Sequence, residues 1–184
     1  ARVKRHAIIA LGKVDKAYSK NAIALLKDIT VKGGPVQRRK AALSLGHFVD
    51  SEPELVCQAL LPLLDDPNHL VRVKVARVFS QNWFAFPSVA FDVLSKLIAD
   101  ENVKVRKEAM VGLEKLMWVF PEEAYRVLSE LPEYAMNPKV KWFANKFCLE
   151  YEQRLGMVEE ANSRIHRLGQ DNQPYIQRKL RQMQ

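Results

Sequence analysis

A nine-residue frame returns along the chain at almost constant spacing, and a chain bound by such a period must be assembled from copies of one supersecondary unit. Val105-Arg106-Lys107-Glu108-Ala109-Met110-Val111-Gly112-Leu113 lies without a gap over Val71-Arg72-Val73-Lys74-Val75-Ala76-Arg77-Val78-Phe79 and over Gln37-Arg38-Arg39-Lys40-Ala41-Ala42-Leu43-Ser44-Leu45. The frame reaches back to Val3-Lys4-Arg5-His6-Ala7 and forward to Val140-Lys141-Trp142-Phe143-Ala144, so a basic residue falls at 4, 38, 72, 106 and 141. The steps are 34, 34, 34 and 35. A second series agrees: Pro53, Pro87 and Pro121 are also 34 apart. Each precedes a helical pattern, and proline suits the first turn of a helix, where its missing N–H costs nothing.

Inside each unit the apolar residues recur at three-and-four spacing, as in Val93, Leu94, Leu97, Ile98 and then Val105, Ala109, Leu113, Leu116. That spacing predicts two amphipathic helices per unit and no strands. Polar breaks at Asp65-Asp66-Pro67-Asn68, Asp100-Glu101-Asn102 and Met136-Asn137-Pro138 supply stops and caps between paired helices. Asp50-Ser51-Glu52-Pro53 and the aromatic turns Trp83-Phe84-Ala85-Phe86-Pro87 and Trp118-Val119-Phe120-Pro121 separate the units. First helices are expected near 19–30, 53–65, 87–99, 121–134 and 157–168, and second helices near 2–14, 35–49, 69–82, 103–118, 138–154 and 174–183. One hairpin cannot bury its own apolar stripe, so neighbours must bury it for one another and the hairpins stack as a solenoid. The turn aromatics Trp83, Phe84, Phe86, Trp118 and Phe120 are expected to pack in the core between units.

Composition narrows the class further. With 184 residues, 48% hydrophobic and 27% charged, the chain has enough apolar material for a core and is not disordered. No apolar run approaches the roughly 18 residues that cross a bilayer, and the first residues show no signal-peptide pattern. Two cysteines, Cys57 and Cys148, form neither a disulfide framework nor a metal spacing. The expectation is an intracellular, cytoplasmic protein without a membrane span, of unspecified oligomeric state.

The polar turn, the valine-arginine start of the second helix, the small residue four places on and the Leu11-Gly12 and Leu45-Gly46 endings resemble the HEAT-repeat family over nearly the whole chain. The resemblance implies an all-α fold, a right-handed α-α superhelix (HEAT-like, armadillo-like solenoid) of about five helical hairpins. One array would occupy 1–184, with a partial repeat 1–15, repeats at about 18–50, 51–84, 85–119 and 120–154, and a partial repeat 155–184. It also implies a structural ladder of turn aspartates and helix-start arginines, for which Asp66, Arg72, Asp100 and Arg106 qualify. Lys32 and Ala135 stand in the aspartate place before Arg38 and Lys141, so the ladder is expected to break there. Tetratricopeptide repeats share the period and the proline, but Val56 to Leu64 and Val89 to Leu97 lack that family's Trp, Leu-Gly and Tyr pattern. The chain opens directly in a second helix, as a piece of a longer array would.

Charge is distributed unevenly along this frame. The second helices, counted as 3–15, 37–49, 71–83, 105–117 and 140–152, sum to +9 within a chain whose net charge is +8. The resemblance places second helices on the concave side, which implies a basic inner face suited to an acidic partner. The expected partner-binding residues are Arg5, Arg39, Lys40, Lys74, Arg77, Lys107 and Lys146. A protein partner is the first expectation and nucleic acid the alternative. Some HEAT-like proteins are DNA glycosylases for alkylated bases, which use tryptophans and an aspartate on a basic face. Trp142 beside Lys141 could reach such a face, but no matching acid stands near it.

Catalytic and cofactor motifs are missing from the sequence. The histidines His6, His47, His69 and His166 have no ligand-spaced partner, and no Gly-x-Ser-x-Gly, phosphate-loop or dinucleotide motif occurs. Arg164-Ile165-His166-Arg167-Leu168-Gly169-Gln170 resembles the last helicase motif of chromatin-remodelling ATPases, but without their phosphate-binding loop it has no ligand and is read as a chance match. No enzyme activity, metal or cofactor is expected.

Overall fold

The computed structural model describes residues 2–131 and 137–183. The fold is all-α, and no strand occurs among the described residues. It divides into two compact units, Ala1–Leu113 and Glu114–Gln184.

The first unit holds α1 (Arg2–Leu11), α2 (Ser19–Lys32), α3 (Pro35–Leu45), α4 (Pro53–Leu60), α5 (His69–Gln81), α6 (Pro87–Leu97) and most of α7 (Val103–Leu116). Proline opens α3, α4 and α6, and Asn68 caps α5 by accepting the Leu70 N–H at 2.9 Å. Asn102, 34 residues on, caps α7 through Lys104 N–H at 3.0 Å. Three expected helices end early, the stretch 2–14 already at Leu11. The stretch 53–65 leaves α-geometry after Leu60 for a 3-10 turn at Leu61–Leu63, because Pro62 has no N–H to donate back. The stretch 35–49 changes at Gly46 to a 3-10 turn, Gly46–Phe48.

Packing in this unit follows the period. α3 lies against α1, α2 and α5, and α2 also lies against α4. Leu26, Leu45, Val56, Leu60, Val71, Val75, Phe79, Leu94 and Ile98 are fully buried and form the core. Neighbouring second helices leave little room at three glycines. A Cβ on Gly12 would lie 2.9 Å from Ser44 Cβ, one on Gly46 would lie 3.1 Å from Val78 Cγ2, and one on Gly112 would lie 2.9 Å from Ser80 Cβ. The Leu11-Gly12 ending read from the sequence is therefore a point of close backbone approach, with Ser44 Cα 3.2 Å from that Cβ position, while Gly46 faces the Val78 side chain.

The second unit holds the end of α7, α8 (Pro121–Ser129), α9 (Pro138–Leu155), α10 (Val158–Gly169) and α11 (Pro174–Arg181). α8 was expected to run to 134; it ends at Ser129, and 132–136, which include Ala135, lie outside the described residues. α9 packs against α8, α10 and α11, and it stops at Gly156, whose φ of 71° is the left-handed cap that glycine adopts without strain.

Two aromatic expectations are corrected. Trp118 is 76% exposed and Phe84 is 58% exposed, so these turn residues do not pack between units; only Phe86 among the turn aromatics is buried, its ring 5.0 Å from Phe79. Conversely, Trp142 does not reach a surface. It is buried against Leu168 and Ile176, because its place on α9 faces α10 and α11.

Candidate functional site

Most cations at the starts of second helices are tied into the fold. The Arg38 guanidinium donates to Asp66 through Nε (2.6 Å) and Nη2 (2.8 Å), and through Nη1 to the Gly33 carbonyl. Arg72 repeats this one period later, bonding Asp100 through Nε (2.7 Å) and Nη2 (3.0 Å) and the Asp66 carbonyl through Nη1 (2.7 Å). Each aspartate also accepts the N–H two residues ahead, Asn68 at 2.9 Å and Asn102 at 2.7 Å, so one carboxylate fixes both a turn and a guanidinium. Burial alone would raise the Asp66 carboxyl. The Arg38 and Asn68 hydrogen bonds and the Arg38 and Arg72 charges outweigh it and hold the group below the usual carboxylate range.

The rungs join one repeat to the next, as expected of a ladder. The carboxylate that Arg38 and Arg72 meet lies 28 residues ahead, while Asp66, six residues behind Arg72, offers that arginine only its backbone carbonyl. The expected break at Arg38 is absent, and the one before Lys141 falls at Ala135, outside the described residues. Gly33 O replaces the missing side of the Arg38 rung, and in the second unit Lys141 Nζ reaches Asp171 at 2.6 Å. Asp171 accepts the Gln173 N–H at 2.8 Å, as Asp66 and Asp100 do with theirs. Arg106 keeps only the backward contacts, donating to the carbonyls of Asp100 (2.6 Å) and Glu101 (2.8 Å) among the described residues.

Three of the remaining cations of α3 and α5 have no such partner. Arg39, Lys40 and Lys74, each half-buried, make no ion pair among the described residues. They line one cavity of about 310 Å³ whose other walls are Leu43, Leu70 and Val73. Burial pushes the Lys74 ammonium below its ordinary value, and the charges of Arg77, Arg39 and Lys40 lower it further. Glu108 acts in the opposite sense. That carboxylate is also engaged by the Arg77 guanidinium.

The other expected contacts separate from this cluster. Arg77 is ion-paired to Glu108 and takes part only as a paired neighbour. Lys107 is exposed on α7 and does not line the cavity. Lys146 belongs to the second unit, where it pairs with Glu150 at 3.5 Å. The Arg5 side chain lies outside the described residues. Of the seven positions, the structure brings Arg39, Lys40 and Lys74 together around one solvent-open hollow.

Two features of the second unit were not anticipated. Met117, Trp118, Pro121, Phe143, Phe147 and Tyr151 line a largely apolar groove of about 560 Å³ that Lys146 borders. A buried polar network also lies under α10. Arg164 donates to Glu152 through Nε (3.0 Å to each oxygen) and Nη2 (2.6 Å) and to Asn145 Oδ1 (3.0 Å). The Tyr125 hydroxyl donates to Glu152 Oε1 at 3.0 Å. Arg164, the leading arginine of the helicase-like stretch, is thus part of the core. Burial pushes the neighbouring Cys148 thiol up to about 11, the Glu152 charge adding to the rise and Arg164 opposing it.

No group of three or more His, Cys, Asp or Glu among the described residues is arranged to hold a metal ion. No described helix is long and apolar enough to cross a membrane. No family model and no curated protein matches the chain. Among solved structures it is similar to the crystal structure of an engineered protein, with 14% identity and a TM-score of 0.49 over 96% of this chain and 85% of that one.

Proposed function

We propose that the chain is a non-catalytic HEAT-like solenoid that binds an acidic macromolecular partner on the basic face formed by second helices α3 and α5. The reading rests on the contrast between paired and unpaired cations. Arg38, Arg72 and Arg77 each have a carboxylate, whereas Arg39, Lys40 and Lys74 crowd around a cavity with none. Clustered like charges repel one another, and a fold keeps such a cluster at a cost that an anionic partner removes on binding. The 34-residue register of close approaches and rungs supports the HEAT-like assignment, in which α3 and α5 line the concave side.

Binding of fluorescent polyglutamate tests this. The chain should bind it at low salt and release it as salt rises, and Arg39→Glu/Lys40→Glu/Lys74→Glu should abolish binding while leaving the helical circular dichroism unchanged. Equal affinity in the triple variant overturns the reading. Tighter binding of an arbitrary DNA duplex, with a steep salt dependence, would place the partner among nucleic acids instead.

A further inference from the structure

We propose that the cavity between α3 and α5 is a receptor for a phosphate monoester carried on a protein segment, with Arg39, Lys40 and Lys74 holding the phosphoryl oxygens. The inference rests on the acidic-partner reading above and specifies the group that enters. Three cations without a carboxylate converge on one cavity of about 310 Å³. A carboxylate brings one negative charge and two oxygens; a phosphate monoester brings about −1.5 to −2 and three strong acceptors. Arg39 contributes a planar fork that grips two of those oxygens, and the two lysines act as point charges.

The walls discriminate further. Leu43, Leu70 and Val73 are aliphatic, and no aromatic ring lines the cavity, so a base entering with a phosphodiester would find nothing to stack on. An aliphatic side chain next to a phosphorylated residue would instead bury itself on that floor. The depressed Lys74 ammonium, lowered first by burial and then by the charges of Arg77, Arg39 and Lys40, agrees with this arrangement, since an arriving dianion offsets the repulsion among those cations.

The test is an amide NMR titration of the full chain with acetyl-Leu-phosphoserine-Leu-amide, its unphosphorylated form and its glutamate counterpart. The phosphopeptide is expected to shift amides within 39–43 and 70–74 and to bind at least about tenfold more tightly than the glutamate peptide. Lys74→Gln and, independently, the milder Arg39→Gln should each remove that preference, whereas Lys27→Gln on α2 should keep it. Equal affinity for the phospho and glutamate peptides overturns the phosphate assignment and leaves the acidic-partner reading intact. Shifts confined to other residues, or none with any peptide, also overturn it, and the polyglutamate assay then decides the broader reading on its own. Stronger perturbation of the same amides by a short DNA duplex overturns both.

Discussion

Replacing Glu152 by glutamine should remove a large part of the second unit's stability. The wild-type carboxylate is 0% exposed and receives the Arg164 guanidinium through two nitrogens and the Tyr125 hydroxyl. Glutamine keeps the shape and one acceptor oxygen, but its NH₂ faces the guanidinium donors, and the arginine charge, only 7% exposed, loses its counter-ion. Breaking a buried pair from one side costs about 3–5 kcal/mol, because the remaining charge stays desolvated. With a urea slope of about 2 kcal/mol per M, the midpoint for the second unit should fall by about 1.5–2.5 M. Urea titrations followed by Tyr and Trp fluorescence measure this directly. A second arm checks the cause. Arg164→Met alone should also be severe, while Glu152→Leu/Arg164→Met should be milder than either single change, since no charge is then stranded. A midpoint shift below about 0.5 M for Glu152→Gln, or additive single-site losses, would refute the argument.

Three further outcomes are expected. Gly112→Ala should lower the thermal midpoint: the roughly 1 kcal/mol gained in helix propensity is outweighed because the new methyl meets Leu94 Cδ1 at 2.5 Å and the Ser80 backbone at 3.0 Å, and overpacking costs about 1–3 kcal/mol. Lys74 binds its proton less tightly folded than unfolded, so stability should rise with pH from its lowered folded value up to the ordinary 10.5, and Lys74→Met should flatten that part of the wild-type profile. Thiol titration near pH 8 should label Cys57 before Cys148, because Cys57 is partly exposed whereas Cys148 is buried and held at about 11; early labelling of Cys148 would contradict the packing of α9.

Helix positions were legible because their signals are local. Prolines at 53, 87 and 121 and asparagines at 68 and 102 mark starts without reference to anything distant. Pairings were not legible in the same way. The residue types of the rungs stand in the repeat, but the link from Arg72 to Asp100 depends on which turn the folded chain brings to a helix start. Lys40 and Lys74 share a register, so their proximity could be read from the period, whereas the capture of Arg77 by Glu108 depends on the approach of α7 to α5. Glu152 and Arg164 defeat pattern reading outright, since charges at 12-residue separation look solvated until a helix covers them. The tryptophans failed in opposite directions. Turn position says nothing about whether a ring points inward, and the lysine beside Trp142 says nothing about its burial, which its helix face decides.

The kind of cation at each rung sets how much the chain length between partners can vary. Where an arginine spans the junction, two nitrogens must meet two oxygens at once, and both such junctions keep the same count of 28 residues. Where Lys141 replaces it, one ammonium on a long pliable stem needs only a single oxygen, and the interval to Asp171 stretches to 30. Insertions should therefore be tolerated where lysine does the fastening and rejected where arginine does.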